Sequence, residues 1–77
     1  MDPEYVVERV FREIFDDDAL VVTAETTPAD VAGWDSVAQV KVVLAIEGEL
    51  GIRFTTDEVS GFKKVGDFLQ AIQGHLR

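Results

Sequence analysis

Apolar residues recur at helical spacing in three separate stretches of this chain, and that periodicity limits the fold more than any other feature. Val7, Val10, Phe11 and Ile14 make the first stripe, Val42, Val43, Ile46 and Leu50 the second, and Val65, Phe68, Leu69, Ile72 and Leu76 the third. Steps of three and four residues place each set on one side of an α-helix. Isolated helices of this length are marginal in water, so the three must bury their stripes in one shared core. With 77 residues the chain makes a single domain, residues 1–77, able to bury about 60% of its unfolded surface. A large internal active-site cleft is disfavoured by that size.

The helix boundaries follow from local chemistry. Asp2 is a good N-cap and Pro3 fits a first helical position, giving a first helix over roughly residues 3 to 15. Asp16, Asp17 and Asp18 then form a solvated turn. They do not open an EF-hand loop, because that loop needs Gly at its sixth position and Glu at its twelfth, where this chain has Val21 and Thr27. From Asp16 to Asp35 no clean period exists, and Thr26, Thr27, Pro28 and Gly33 supply turn chemistry. Connections beyond about 12–15 residues tend to be functional or to carry a short helix, so Leu20, Val22 and Val31 are expected to pin this one to the core. The second helix spans 36 to 50, capped by Asp35 or Ser36 and stopped by Gly51. Gly51 to Phe54 is a connection that turns Ile52 and Phe54 inward. Thr55 and Glu58 have capping-box spacing for a brief helix over about 56 to 61. The last helix follows Lys64 and is expected to fray near Gly74. The predicted fold is therefore all-α: a small four-helix bundle of three longer helices and a short third, with a long loop between helices 1 and 2.

The second helix is unusual in having apolar residues on two sides. Val42, Val43, Ile46 and Leu50 suit the core, whereas Val37, Val40 and Leu44 form another stripe running away from Ser36. That second stripe is either buried too or lines a docking surface beside the serine. Trp34, the one tryptophan, reads as a core anchor or as part of the same binding surface.

Charge narrows the partners. Fifteen acidic residues against seven Lys and Arg give a net charge of −8 and a pI near 4.3, which opposes binding to nucleic acid or to an anionic membrane and favours a monomer. Basic protein surfaces are the natural counterpart. No apolar run approaches a membrane span and no signal-peptide core is visible, so a cytoplasmic location is the default. There is no cysteine, hence no thiolate ligand or thiol nucleophile within the chain, and a single His with scattered carboxylates makes no metal site. Ser36 is the one residue with suggestive surroundings. A catalytic serine needs a histidine base within hydrogen-bond reach, and the lone His75 lies two residues from the C-terminus. On these grounds the chain is a small helical binding module, not an enzyme, in which Ser36 is most simply an N-cap.

The run Gly33-Trp34-Asp35-Ser36-Val37, with a long loop before it and Val40, Val43, Ile46, Glu47, Glu49, Leu50, Gly51 and Ile52 after it, resembles the acyl carrier protein family, whose signature is Gly-x-Asp-Ser-Leu. The resemblance covers essentially the whole chain. It implies that Ser36, preceded by Asp35, is the attachment point for 4'-phosphopantetheine, transferred from coenzyme A by a phosphopantetheinyl transferase. It further implies that acyl or aminoacyl groups ride as thioesters on that arm, presented to loading enzymes and downstream acyl-processing enzymes. In the family, partners read the second helix and the loop before it; Trp34, Val37, Val40, Lys41, Leu44 and Glu47 occupy those positions here, and Glu49 matches a further acidic one. Two departures stand out. Val37 replaces the usual Leu, and Ala38 and Lys41 stand where fatty-acid carriers are typically acidic, so a partner with a matching basic patch is penalised. The resemblance therefore points to a carrier of a specialised pathway, polyketide or hybrid peptide-polyketide. The alternative is an unmodified helical interaction or regulatory module in which Ser36 is an N-cap and nothing more.

Overall fold

The computed structural model describes residues 2–76. Four α-helices account for most of them: α1 (Pro3–Ile14), α2 (Ser36–Leu50), α3 (Thr56–Ser60) and α4 (Val65–Leu76), with a single 3₁₀ turn at Pro28–Asp30 inside the long loop. No β-strand occurs among the described residues. The architecture is thus the predicted all-α one, and α1 packs against both α2 and α4. None of these helices is long and apolar enough to cross a membrane.

Local signals set most of the ends. The Asp2 side chain accepts the Glu4 N–H at 3.0 Å, and α1 stops at Ile14, one residue short of the expected limit, because Phe15 leaves the helix as its C-cap and Asp16 turns left-handed at φ 52°. Asp is among the few non-glycine residues that tolerate that conformation. Gly51 closes α2 in the same left-handed region at φ 65°. At α3 the capping box is formed in both directions: Thr55 Oγ1 accepts from Glu58 N at 3.1 Å and Glu58 Oε1 accepts from Thr55 N at 2.8 Å. That helix ends at Ser60, slightly earlier than predicted. α4 runs through Gly74, where fraying was expected, to Leu76. His75, in its last turn, is held by Glu58 Oε1 at 2.9 Å and meets Phe54 edge-on with ring centroids 5.7 Å apart.

The core is built mainly from the three predicted stripes, with Val6 added to the first and Leu76 of the third left 50% exposed at the end of α4. Phe11, Phe68, Ile46, Ile72, Val6, Val7, Val10, Val42 and Val65 are all fully buried. At its upper end the aromatic rings interlock, Phe11 standing edge-on to both Trp34 (5.0 Å) and Phe68 (6.2 Å), while Phe62 lies 4.4 Å from Phe68. Such tilted and edge-on pairs add specific attraction to the burial itself.

The long loop is not loose, because its backbone is bonded at both ends of the bundle. Arg12 Nε donates to Leu20 O at 2.8 Å and Glu8 Oε2 accepts from Val22 N at 3.3 Å, so the polar side of α1 holds the first part. The first turn of α4 holds the middle: Val65 N donates to Thr26 O at 2.9 Å and Gly66 N to Ala24 O at 2.8 Å. Helix N-termini have spare N–H groups, and here the loop carbonyls take two of them. Gly66 is required at that crossing, since a Cβ there would lie 2.8 Å from Ala24 O. Leu20 and Val22 pack against the core and Val31 lies within it, as expected.

Candidate functional site

The loop is delivered to α2 by three consecutive devices. Gly33 adopts φ 88°, which directs the chain back toward the bundle. Trp34 then inserts its indole into the core at 7% exposure and keeps its one polar atom satisfied, Nε1 donating to Gln39 Oε1 at 2.7 Å. Asp35, extended at φ −114° and ψ −170°, is the N-cap, its Oδ1 accepting from Ala38 N at 2.9 Å. Ser36 follows as the first residue of α2.

That arrangement decides between the two capping residues the sequence left open. Asp35 takes the capping bond, so Ser36 is not the N-cap. The Ser36 side chain is exposed, and no hydrogen bond involving its hydroxyl is formed among the described residues. It stands at the rim of a shallow, open depression of about 340 Å³ bordered by Pro28, Trp34, Asp35, Gln39 and Phe62. No histidine lies on that rim. His75 is instead engaged at the α3–α4 junction, and Glu58, its partner, has its carboxyl lowered below the ordinary glutamate range, first by the backbone N–H of Thr55 and then by His75. A serine without a base is a poor nucleophile, but one that is exposed at a helix N-terminus is well placed to be modified and to carry an anionic substituent, because the spare N–H groups and the helix dipole favour negative charge there.

The other predicted contact residues are divided by the structure. Val37, Val40 and Leu44 are 65%, 54% and 61% exposed, so the second stripe of α2 is a surface and not a second buried face. Lys41 lies exposed among them. Of the two readings of Trp34, core anchor and part of the binding surface, its 7% exposure bears out the anchor, with one edge bordering the depression beside Ser36. Glu47 is half-buried, and its Oε2 accepts from Phe54 N at 2.7 Å, tying α2 to the following connection. Glu49 is bridged to Arg9 at 2.8 Å. Ala38, read as standing where an exposed acid would be, is in fact buried. Sequence reasoning missed Pro28, Gln39 and Phe62 beside the serine. Gln39 carried a weak local signal, one helical turn from Ser36; Phe62 carried none, because only the tertiary fold brings it there.

Comparison with known proteins agrees with this geometry. Residues 6–72 match the family described as the phosphopantetheine attachment site. Acyl carrier proteins from three strains of Clostridium perfringens are 37% identical over 54 residues, covering 70% of this chain and 71% of each relative. Among solved structures, the solution structure of holo acyl carrier protein from Geobacter metallireducens superposes with a TM-score of 0.89 at 32% identity, covering 99% of this chain and 87% of that one. A putative acyl carrier protein from Mycobacterium tuberculosis shares the fold with a TM-score of 0.85 at 22% identity, covering 95% of this chain and 97% of that one.

Proposed function

The chain belongs to the acyl carrier protein family, and from that premise we propose that Ser36 is its phosphopantetheine attachment residue. Members of the family are carriers, not catalysts, and bear a covalent 4'-phosphopantetheine; they work with the transferase that modifies them and with enzymes of acyl metabolism. The observation that carries the assignment of the serine is the division of labour at the start of α2. Asp35 closes the helix through Ala38 N, and the neighbouring hydroxyl is left exposed on a rigidly held first turn.

The residues present fit the group. When attached, it supplies the terminal thiol that a chain with no cysteine cannot supply. Ser36 would hold it through its hydroxyl oxygen, and the N-terminal end of α2 tolerates the negative charge of a phosphodiester. Trp34 and Gln39 keep that first turn in one conformation by their mutual bond, while the open depression leaves room for the enzymes that must approach. The exposed stripe Val37, Val40 and Leu44 and the intervening Lys41 are the surface by which those enzymes recognise the carrier. This surface is less acidic than the overall charge implies, because α2 exposes Lys41 within the stripe and has Glu49 paired with Arg9. That favours a specialised polyketide or hybrid peptide-polyketide pathway over primary fatty-acid synthesis, in the cytoplasm and with the protein as a monomer.

Mass spectrometry of the protein purified from its host tests this reading. Cleavage after Arg12 and Lys41 releases residues 13–41, and that peptide is expected to carry phosphopantetheine on Ser36, with the attached acyl group naming the pathway. A peptide carrying no modification, or one modified at another residue, would contradict it.

A further inference from the structure

Seen down the axis of α2, at 100° per residue, Val37, Val40, Lys41, Leu44 and Gly48 fall within an arc of about 100°, and all five are exposed. The charge on this face runs against the rest of the molecule. Net charge is −8, yet none of these five positions is acidic; of the two carboxylates of α2, Glu49 is paired with Arg9 at 2.8 Å, and Glu47, at the edge of the face, is turned to Phe54 N at 2.7 Å. Lys41, by contrast, has no acidic partner within salt-bridge distance among the described residues. The same holds for Arg53, which adjoins the C-terminal half of this face.

Gly48 is the second independent feature. It sits inside α2, where Ala is ordinarily preferred, and a Cβ placed on it would meet no atom within 4 Å. Folding therefore does not require glycine at this position. What its missing side chain does is deepen an open depression of about 600 Å³ lined by Leu44, Glu47, Gly48, Gly51, Ile52 and Arg53. Leu44 and Ile52 make apolar walls, and Arg53 stands at the margin. Glu47, the one carboxylate in the lining, already has an oxygen bonded to Phe54 N.

We propose that this face docks an enzyme surface that presents an apolar side chain flanked by carboxylates, the apolar group entering the depression over Gly48 and the carboxylates meeting Arg53 and Lys41. The proposal rests on the carrier reading and specifies the chemistry of the partner: an acidic patch, opposite in sign to what the overall charge of the chain would attract. Charge pairing of this kind sets specificity and encounter more than affinity, and repels partners of the wrong sign.

Two synthetic amphipathic helical peptides, each with a leucine anchor and differing only in glutamate or lysine at the flanking positions, serve as probes. They are titrated at low salt into the isotopically labelled protein and followed by the backbone amide spectrum. The glutamate peptide is expected to shift the amides of Lys41, Leu44, Gly48 and Arg53, and the lysine peptide to leave them in place. The double variant Lys41→Glu, Arg53→Glu should weaken the glutamate peptide by about fivefold or more, the scale of one or two exposed charge contacts. Gly48→Ala should keep the native amide pattern with a higher melting temperature and still lose most of the response. Equal response to both peptides, shifts confined to other surfaces, no response at all, or an unaffected Gly48→Ala variant would each overturn the proposal. Concentration-dependent shifts of the same amides without peptide would overturn it in favour of a second copy of the chain. Transfer of phosphopantetheine to the same sample is measured in parallel: failure of the peptides with successful transfer removes the docking proposal alone, whereas failure of transfer removes the carrier reading.

Discussion

Trp34 Nε1 and Gln39 Oε1 are joined by a 2.7 Å hydrogen bond that spans Ser36, linking the last turn of the long loop to the first turn of α2. The bond satisfies the one polar atom of an indole whose ring packs against Phe11 and Phe68, and it ties the residues on either side of the serine together. Replacing Gln39 with Ala leaves that donor without its partner, which costs about 1–3 kcal/mol. Chemical denaturation should read that loss, and modification of Ser36 should slow with it. A variant as stable and as readily modified as the wild type would show that the bond does not position the serine.

Asp35 and Ser36 are separable by substitution. Removing an N-cap costs about 0.5–2 kcal/mol, so Asp35→Ala should lower the melting temperature by several degrees, whereas Ser36→Ala should leave it nearly unchanged. Thermal unfolding of the two variants side by side checks this. The reverse ranking would mean that Ser36 is the residue closing the helix.

The two apolar faces of α2 should behave oppositely. Ile46 is fully buried, and Ile46→Ala should cost about 2–5 kcal/mol, a large share of the stability of a domain this small. Leu44 removes the same kind of side chain from an exposed position, and Leu44→Ala should fall within about 0.5 kcal/mol of wild type while weakening partner turnover. Denaturation midpoints distinguish the two faces directly.

Two glycines of α4 make a similar contrast. At Gly66 an added methyl would collide with Ala24 O at 2.8 Å, so Gly66→Ala should destabilise by about 1–3 kcal/mol and release the loop from the first turn of α4. At Gly74 nothing lies within 4 Å, and Gly74→Ala should stabilise by about 0.5–1 kcal/mol. Hydrogen exchange of the Val65 and residue-66 amides, which bond to the loop, would locate the first effect.

Acid should loosen α3 before the core. Glu58 has its carboxyl lowered by Thr55 N and His75, so its contribution is fully present above the ordinary glutamate range and is lost as pH falls through the lowered value. Amide protection within Thr56–Ser60, taken relative to the intrinsic exchange rate at each pH, is expected to fall over that acidic window, and Glu58→Gln, which keeps the capping geometry without the charge, should flatten the dependence. Unchanged pH dependence in that variant would assign the effect to another carboxyl.

Much of the fold was legible because its determinants are local. The stripes of α1, α2 and α4, the Asp2 cap, the Gly51 stop and the Thr55–Glu58 box all lie within a few residues of what they control. The choice between Asp35 and Ser36 was not, since both residue types cap well and the backbone angles of Asp35 decide the matter. Glu47 read as a surface acid because its bond to Phe54 N exists only after the chain turns at Gly51. The continuity of α4 through Gly74 likewise depends on a distant residue, with His75 held by Glu58 across seventeen positions. At the candidate site the serine and the second stripe of α2 could be found in sequence, but not the exposure of that stripe; Phe62 and Pro28, which border the serine from other parts of the chain, could not be found.

Intact-mass measurement after incubation with coenzyme A and a broad-specificity phosphopantetheinyl transferase shows whether Ser36 accepts the arm. The wild-type protein should gain one phosphopantetheine and the Ser36→Ala variant, folded to the same helical content, none. A wild-type protein that gains nothing, or a Ser36→Ala variant that is still modified, would contradict the account.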